Sequence, residues 1–197
     1  MFRGWHVAAA CFLLVVVSAP SHSFGINILV PFFERDIGIT HEQASYVWLI
    51  ASLCSAALTP LAGAASDRYG VRATSFFVAP LYVLTLLGLS RVNSPLQLTV
   101  CVSSLRFLGA DVLCMFASVT VQRWFVRNVG RASALLSFAG TLFVAMPALM
   151  SSLISLTLQG DWRRAYVSLA AGSAVLLFFA LRQLRDRPEA HSSKAQR

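Results

Sequence analysis

Charged residues are scarce in this chain of 197 residues. They make up 12% of it, against roughly 25% in an average soluble domain. Hydrophobic residues make up 57%, and the mean hydropathy is +0.69. A composition this apolar excludes a soluble globular domain and a disordered one. Because a transmembrane helix needs about 20 mostly apolar residues, six helices with short connections fit within the chain.

Motifs of soluble enzymes are also missing. The only lysine is Lys194, which excludes a phosphate-binding Gly-Lys-Ser/Thr loop. His-Glu-x-x-His, Gly-x-Gly-x-x-Gly, Gly-x-Ser-x-Gly and Cys-x-x-Cys do not occur. The four cysteines lie in apolar stretches and are interpreted as buried side chains, not as a disulfide or metal framework: Cys11, Cys54, Cys101 and Cys114. We therefore expect no cofactor, no metal and no enzymatic activity; His22 with a distant serine is the one candidate for an intramembrane enzyme.

Six apolar stretches predict an all-α membrane protein. These spans 1–6 cover residues 5–30, 44–62, 73–89, 96–121, 132–158 and 165–181, in one bundle over residues 1–184. Membrane helices tolerate the internal prolines Pro60, Pro80 and Pro147, and the lack of period-2 alternation disfavours a β-barrel. Polar residues 20–23 interrupt span 1, which predicts a broken helix. A cleaved signal peptide is the alternative, because Arg3 precedes a short apolar run.

The distribution of basic residues predicts the orientation. The net charge is +8, which we attribute to cytoplasmic loops facing anionic lipid and not to nucleic-acid binding. With the N-terminus inside, the inner segments carry eleven Lys and Arg residues and the outer segments four. This bias predicts a multi-pass protein of the plasma (inner) membrane with both termini in the cytoplasm. Residues 185–197 are interpreted as a basic cytoplasmic tail or the start of a central loop.

The stretch between spans 2 and 3 reads GAASDRYGVR. It resembles the G-x-x-x-D-R-x-G-x-R motif of the major facilitator superfamily, in the cytoplasmic position between helices 2 and 3. The matching residues are Gly63, Asp67, Arg68, Gly70 and Arg72. We expect Gly63 to let helix 2 end close to a neighbour, Gly70 to permit a tight turn, and Arg72 to pair with Asp67.

Other stretches are similar to the same superfamily. Arg106 begins an R-x-x-x-G pattern in span 4, with Ala110 at the glycine position. The loop between spans 4 and 5, with Arg123, Arg127 and Arg131, resembles R-W-F-x-x-x-R-G-x-A, and residues 160–166 resemble G-W-R-x-A-F. Residues 4–5, 23–25 and 185–189 look like the monocarboxylate-transporter-like branch.

The resemblance implies the N-terminal half of a twelve-helix transporter, whose substrate site lies between two six-helix halves. It implies secondary active transport of a small solute, an organic anion such as a monocarboxylate, by alternating access, with residues 63–72 at the cytoplasmic gate. The expected partners are the bilayer, the substrate with or without a coupled proton, and a second half or copy. Alternatives are a truncated or split half that is inactive alone, or a homodimeric six-helix carrier or pore.

Polar residues within membrane spans are costly and therefore functional candidates. The candidates for substrate or proton binding are His22, Asn27, Tyr46, Arg106 and Asp111; a structural role is the alternative for each charged one. In an α-helix Arg106 and Asp111 point about 140° apart, so we expect each to need a partner on another helix. The four tryptophans, at positions 5, 48, 124 and 162, are interpreted as interfacial anchors.

Overall fold

A computed structural model describes residues 4–125, 128–152, 154–155 and 161–184. This described part contains helices and no strand, and six helical stretches are long and apolar enough to cross a membrane: Gly4–Asn27, His41–Tyr69, Val71–Leu89, Pro95–Trp124, Val129–Ser152 and Trp162–Gln183. The predicted all-α class with six membrane helices is thereby confirmed. Arg127, the last three residues of predicted span 5 and the tail 185–197 lie outside the described residues.

Span 1 is broken where its polar residues occur. Helix α1 (Gly4–Val17) is followed by a 3-10 turn (Ala19–Ser21), α2 (Ser23–Asn27) and α3 (Val30–Ile37). Pro20 lies within the first two positions of the 3-10 turn, and Pro31 lies within the first two positions of α3. The N–H groups at these positions make no hydrogen bond within the helix, so proline, which has no N–H, is tolerated there. The helical chain thus reaches Ile37, beyond the predicted end at residue 30.

Span 2 is the single helix α4 (His41–Tyr69). Thr40 caps it: its hydroxyl accepts from the Gln43 N–H, and the Gln43 side chain accepts from the Thr40 N–H. The helix continues seven residues past the predicted end at residue 62, so Gly63–Tyr69 are helical and do not form a loop. It ends at Gly70, whose φ of 85° suits glycine, and α5 (Val71–Leu89) begins directly afterwards.

Span 4 contains a stretch of wider helix. Between α6 (Pro95–Leu105) and α7 (Cys114–Trp124) lies a π-helical segment, Arg106–Leu113. Span 5 is also irregular: α8 (Val129–Thr141) and α9 (Met146–Ser152) are joined by a 3-10 turn, Leu142–Ala145. Span 6 is α10 (Trp162–Gln183), capped by Asp161, whose carboxylate accepts from the Arg163 N–H.

Spans 1 and 4 form the centre of the bundle. They have the largest buried fraction among the six spans, whereas spans 2 and 5 have the smallest. Helix α1 packs against α7, α8 and α10, and the π segment packs against α4 and α5. The chemistry-bearing residues of spans 1 and 4 therefore lie between neighbouring helices, and α4 faces them from one side.

Candidate functional site

His22 joins three spans at the break of span 1. Its Nε2 lies 3.4 Å from Ser18 Oγ and 3.9 Å from Cys114 Sγ. Its ring stacks on Phe143 of span 5, with centroids 4.0 Å apart and planes 27° from parallel. The neighbouring hydroxyl that contacts the ring is therefore the one on Ser18, and the stack fixes the plane of the imidazole.

The break in span 1 is supported by side chains of neighbouring elements. The Tyr82 hydroxyl of α5 donates to the Val17 carbonyl at 2.8 Å. This bond satisfies a backbone acceptor near the end of α1, and such acceptors are costly to leave unpaired in a membrane. Ser21 donates to the Ser18 carbonyl, and Ser18 to the Val15 carbonyl.

Gly109 lets the π segment approach this break. A Cβ added at Gly109 would overlap the Ser21 side chain and lie 2.6 Å from Tyr82 Cε2. Glycine is therefore needed here for close backbone approach. Gly109 makes this close contact. Ala110, which stands at the glycine position of the family's R-x-x-x-G pattern, does not.

Arg106 and Asp111 both contact α4. The Arg106 guanidinium carbon lies 4.6 Å from the centroid of the Trp48 ring, and the Asp111 carboxylate accepts a hydrogen bond from Ser55. Their predicted divergence of 140° assumed α-helical geometry and is wrong, because Arg106–Leu113 is a π-helix. In a helix closed by i→i+5 hydrogen bonds, residues five apart are about one turn apart.

The Arg106 Nε–H is buried and has no hydrogen-bond partner among the described residues. Such donors are rare and point to a ligand or water that supplies the acceptor. No ion pair within 4.0 Å joins Arg106 and Asp111 in the described part. His22 of span 1 contacts Cys114, which directly follows the π segment, so spans 1 and 4 bring an arginine, a carboxyl group and an imidazole into one region of the bundle.

A small cleft lies against Trp48, and His22, Arg106 and Asp111 are not among the described residues that line it. Asn27 and Trp48 line it, and its other lining residues are apolar. Asn27 therefore shares a cavity wall with the indole that the Arg106 guanidinium contacts. Tyr46 is 63% exposed and is not among the residues that line the cleft.

At the end of the bundle that carries residues 63–72, the motif residues form a different pair from the one expected. Asp67 at the end of α4 accepts from Arg123 of α7 at 2.7 Å, so this recorded ion pair joins spans 2 and 4. The Arg72 guanidinium lies 6.0 Å from the Phe76 ring centroid. A Cβ on Gly63 would meet Met115 Sδ at an ordinary 3.9 Å, so the expected close approach at Gly63 is wrong.

Arg68 and Arg131, at the same end of the bundle, lie on the surface. The Arg68 guanidinium lies 5.4 Å from the centroid of the Tyr69 ring, and Arg131 is exposed in the first turn of α8. No group of three or more His, Cys, Asp or Glu side chains within the described ranges is arranged to hold a metal ion. All four cysteines are free thiols.

The opposite end carries a cluster that the sequence analysis missed. Asp36 accepts from the Trp162 indole at 2.8 Å and from Arg35 at 2.9 Å. The Trp162 hydrogen bond and then the Arg35 hydrogen bond lower the pKa of the Asp36 carboxyl. Phe33 packs edge-on against Trp162, with centroids 5.3 Å apart. Trp162 is 1% exposed, so its interpretation as an interfacial anchor is wrong.

Taken together, the six membrane-length helices and the polar group between spans 1, 2, 4 and 5 define a multi-pass membrane protein with ionisable residues inside its helical bundle. A comparison with protein families gives the family: the model of the Major Facilitator Superfamily matches residues 11–197. The chain therefore belongs to the major facilitator superfamily, a family of transporters. No curated protein matches the sequence.

Proposed function

We propose that this chain carries a small organic anion, such as a monocarboxylate, across the plasma (inner) membrane by alternating access. The observation that carries the proposal is the buried, unpartnered Nε–H of Arg106. A guanidinium presents coplanar N–H groups that bind a carboxylate in a planar, bidentate way, and an N–H without a protein acceptor is available for such a ligand. Asn27 adds an amide to the wall of the adjoining cleft.

Uptake into proteoliposomes made with the complete gene product tests the substrate class. The panel is acetate, L-lactate, pyruvate, oxalate and succinate, with glucose as a neutral comparison. We expect saturable uptake of a carboxylate and none of glucose. Arg106→Gln should raise KM about tenfold to a hundredfold, because a charge-assisted hydrogen bond contributes about 1.5–3 kcal/mol. Arg91→Gln is the control, since Arg91 is exposed outside the spans. Unchanged carboxylate uptake by Arg106→Gln would refute the proposal.

We propose Asp111, with His22, as the proton-coupling group of this transporter. The support is that Ser55 donates a hydrogen bond to the Asp111 carboxylate, and that His22 contacts Cys114, three residues further along span 4. A carboxylate that must change protonation state during the cycle is replaced by a permanently neutral amide in Asp111→Asn. We expect this variant to lose proton-driven accumulation and to retain exchange of labelled for unlabelled substrate. Loss of both activities, with normal insertion, would instead indicate a structural role.

We propose that both termini are cytoplasmic and that a second six-helix bundle completes the carrier. Exposed apolar side chains are numerous on α4, with Leu53 and Leu61 more than 60% exposed. A bilayer and a second bundle both accommodate such a face, so crosslinking in the native membrane separates them. A product near twice 21.4 kDa containing this sequence alone indicates a homodimer, and a product with other sequence indicates a distinct second half. If the gene product itself contains no further membrane helices, recovery of the uncrosslinked chain alone would refute the second bundle.

A further inference from the structure

We propose that Trp48 is a positioning residue that holds the Arg106 guanidinium in the orientation in which it binds the anion. The inference rests on the proposed function, because it assigns a task to Arg106 in substrate binding. It replaces the interpretation of Trp48 as an interfacial anchor. Trp48 is half-buried, lines the cleft and contacts an arginine of another span at 4.6 Å.

The register of α4 against span 4 supports this assignment. Trp48 and Ser55 are seven residues apart, which is 700° of rotation and places them within about 20° on one face of the helix. That face contacts both charged residues of the π segment: Trp48 contacts Arg106, and Ser55 donates to Asp111. Because both contacts come from the same face of α4, the packing of this face against span 4 places the Trp48 indole against the Arg106 guanidinium.

The contact with Trp48 gives Arg106 no oxygen acceptor. A cation–π contact attracts the guanidinium to the face of the ring, whereas carboxylate recognition uses the guanidinium N–H groups. A salt bridge would occupy those N–H groups, and none within 4.0 Å is recorded for Arg106 in the described part. The Nε–H also lacks a hydrogen-bond partner there, so within the described part the Trp48 ring is the contact that restrains the guanidinium.

Transport kinetics distinguish positioning from general structural support. The measurement is carboxylate uptake by the complete gene product in proteoliposomes, with the panel member that shows the largest dependence on Arg106. We expect Trp48→Leu to raise KM roughly tenfold, equivalent to about 1.4 kcal/mol, with a maximal rate within a factor of two. Trp48→Phe keeps an aromatic face and should remain within about threefold of wild type. Trp5→Leu is the matched control, because Trp5 packs on Phe125 at the start of span 1, at the opposite end of that span from its break.

Tryptophan fluorescence tests the contact without substrate. Removing the guanidinium in Arg106→Gln should change the emission spectrum, and the same substitution in a Trp48→Phe background should change it no further. Arg91→Gln should leave the spectrum unchanged in both backgrounds. This readout also decides the outcome if Trp48→Leu inserts poorly into the membrane.

The outcomes separate the two proposals. If Arg106→Gln transports the carboxylates normally, or the panel shows no uptake, the proposed function fails. If Arg106→Gln impairs uptake while Trp48→Leu keeps a normal KM, Trp48 does not position Arg106. A spectral change on Arg106→Gln that persists in the Trp48→Phe background would also overturn the inference. Equal losses of uptake in Trp48→Leu and Trp5→Leu would reduce the role of Trp48 to packing.

Discussion

Replacing Gly109 with alanine should destabilise the bundle where the π segment of span 4 contacts the break of span 1. The added methyl group would lie 2.6 Å from Tyr82 Cε2 and overlap the Ser21 side chain, so neighbouring groups must move by about 1 Å to restore ordinary contact. Overpacking of this kind costs typically 1–3 kcal/mol. Displacing Tyr82 also weakens its hydrogen bond to the Val17 carbonyl, which contributes about 1 kcal/mol.

These terms exceed the gain of about 1 kcal/mol that alanine brings to a helix in place of glycine. We therefore expect a net loss of roughly 2 kcal/mol, or a Tm lowered by about 4–8 °C for a chain of this size. The assay is thermal unfolding of the purified protein in detergent. Gly172→Ala is the matched control, because a Cβ there meets nothing within 4 Å, and its Tm should be unchanged or slightly raised. Equal Tm values for the wild type and Gly109→Ala would refute this reasoning.

Two further predictions concern the ends of the bundle. Asp67→Asn should abolish transport without preventing membrane insertion, because it breaks the pair with Arg123 that joins spans 2 and 4. Both side chains are exposed, so the stability of the protein should change little. Uptake measurements together with surface labelling check this prediction. At the opposite end, the pKa of Asp36 is lowered by its hydrogen bonds from Trp162 and Arg35. Its contribution to stability should therefore be complete above its ordinary pKa of 3.8 and be lost as pH falls through the lower folded-state pKa, and Tm measured from pH 6 to 3 checks this.

Each of these predictions has its own control. Exchanging the charges, with Asp67→Arg and Arg123→Asp together, should restore part of the uptake lost in Asp67→Asn; wild-type uptake by Asp67→Asn itself would remove Asp67 from the gate. For the cluster around Asp36, Asp36→Asn should lower Tm at pH 6 and reduce the further fall between pH 4 and 3. An unchanged acid-dependent fall in that variant would mean that other carboxylates cause it.

Hydropathy alone predicted the number and type of the membrane helices, because the apolar stretches are long and their composition allows no other compact fold in a bilayer. It did not predict where they end. Ser66, Asp67 and Arg68 are polar, so the prediction ended span 2 before them, yet polar residues continue a helix readily where it leaves the apolar core. The position that ends α4 is Gly70, with its positive φ.

The partners of the site residues could not be predicted from the sequence. The π-helical segment changes the relative direction of Arg106 and Asp111, and hydrophobic periodicity carries no signal for it. The contacts of these residues with Trp48 and Ser55 join positions more than 50 residues apart and depend on how α4 packs against span 4. Sequence reasoning could identify the costly polar residues, but the register between helices decides which of them meet.

The break of span 1 and the π segment of span 4 explain why the polar residues lie where they do. A membrane tolerates broken or widened helices only where other protein groups satisfy the freed backbone atoms. At the break of span 1, Tyr82, Ser18 and Ser21 supply donors to backbone carbonyls. The π segment packs against this break at Gly109, so both irregularities share one protein-lined region. His22 lies at one and Arg106 and Asp111 lie in the other, and a change in the packing of either segment would therefore move the charged and titratable groups relative to each other.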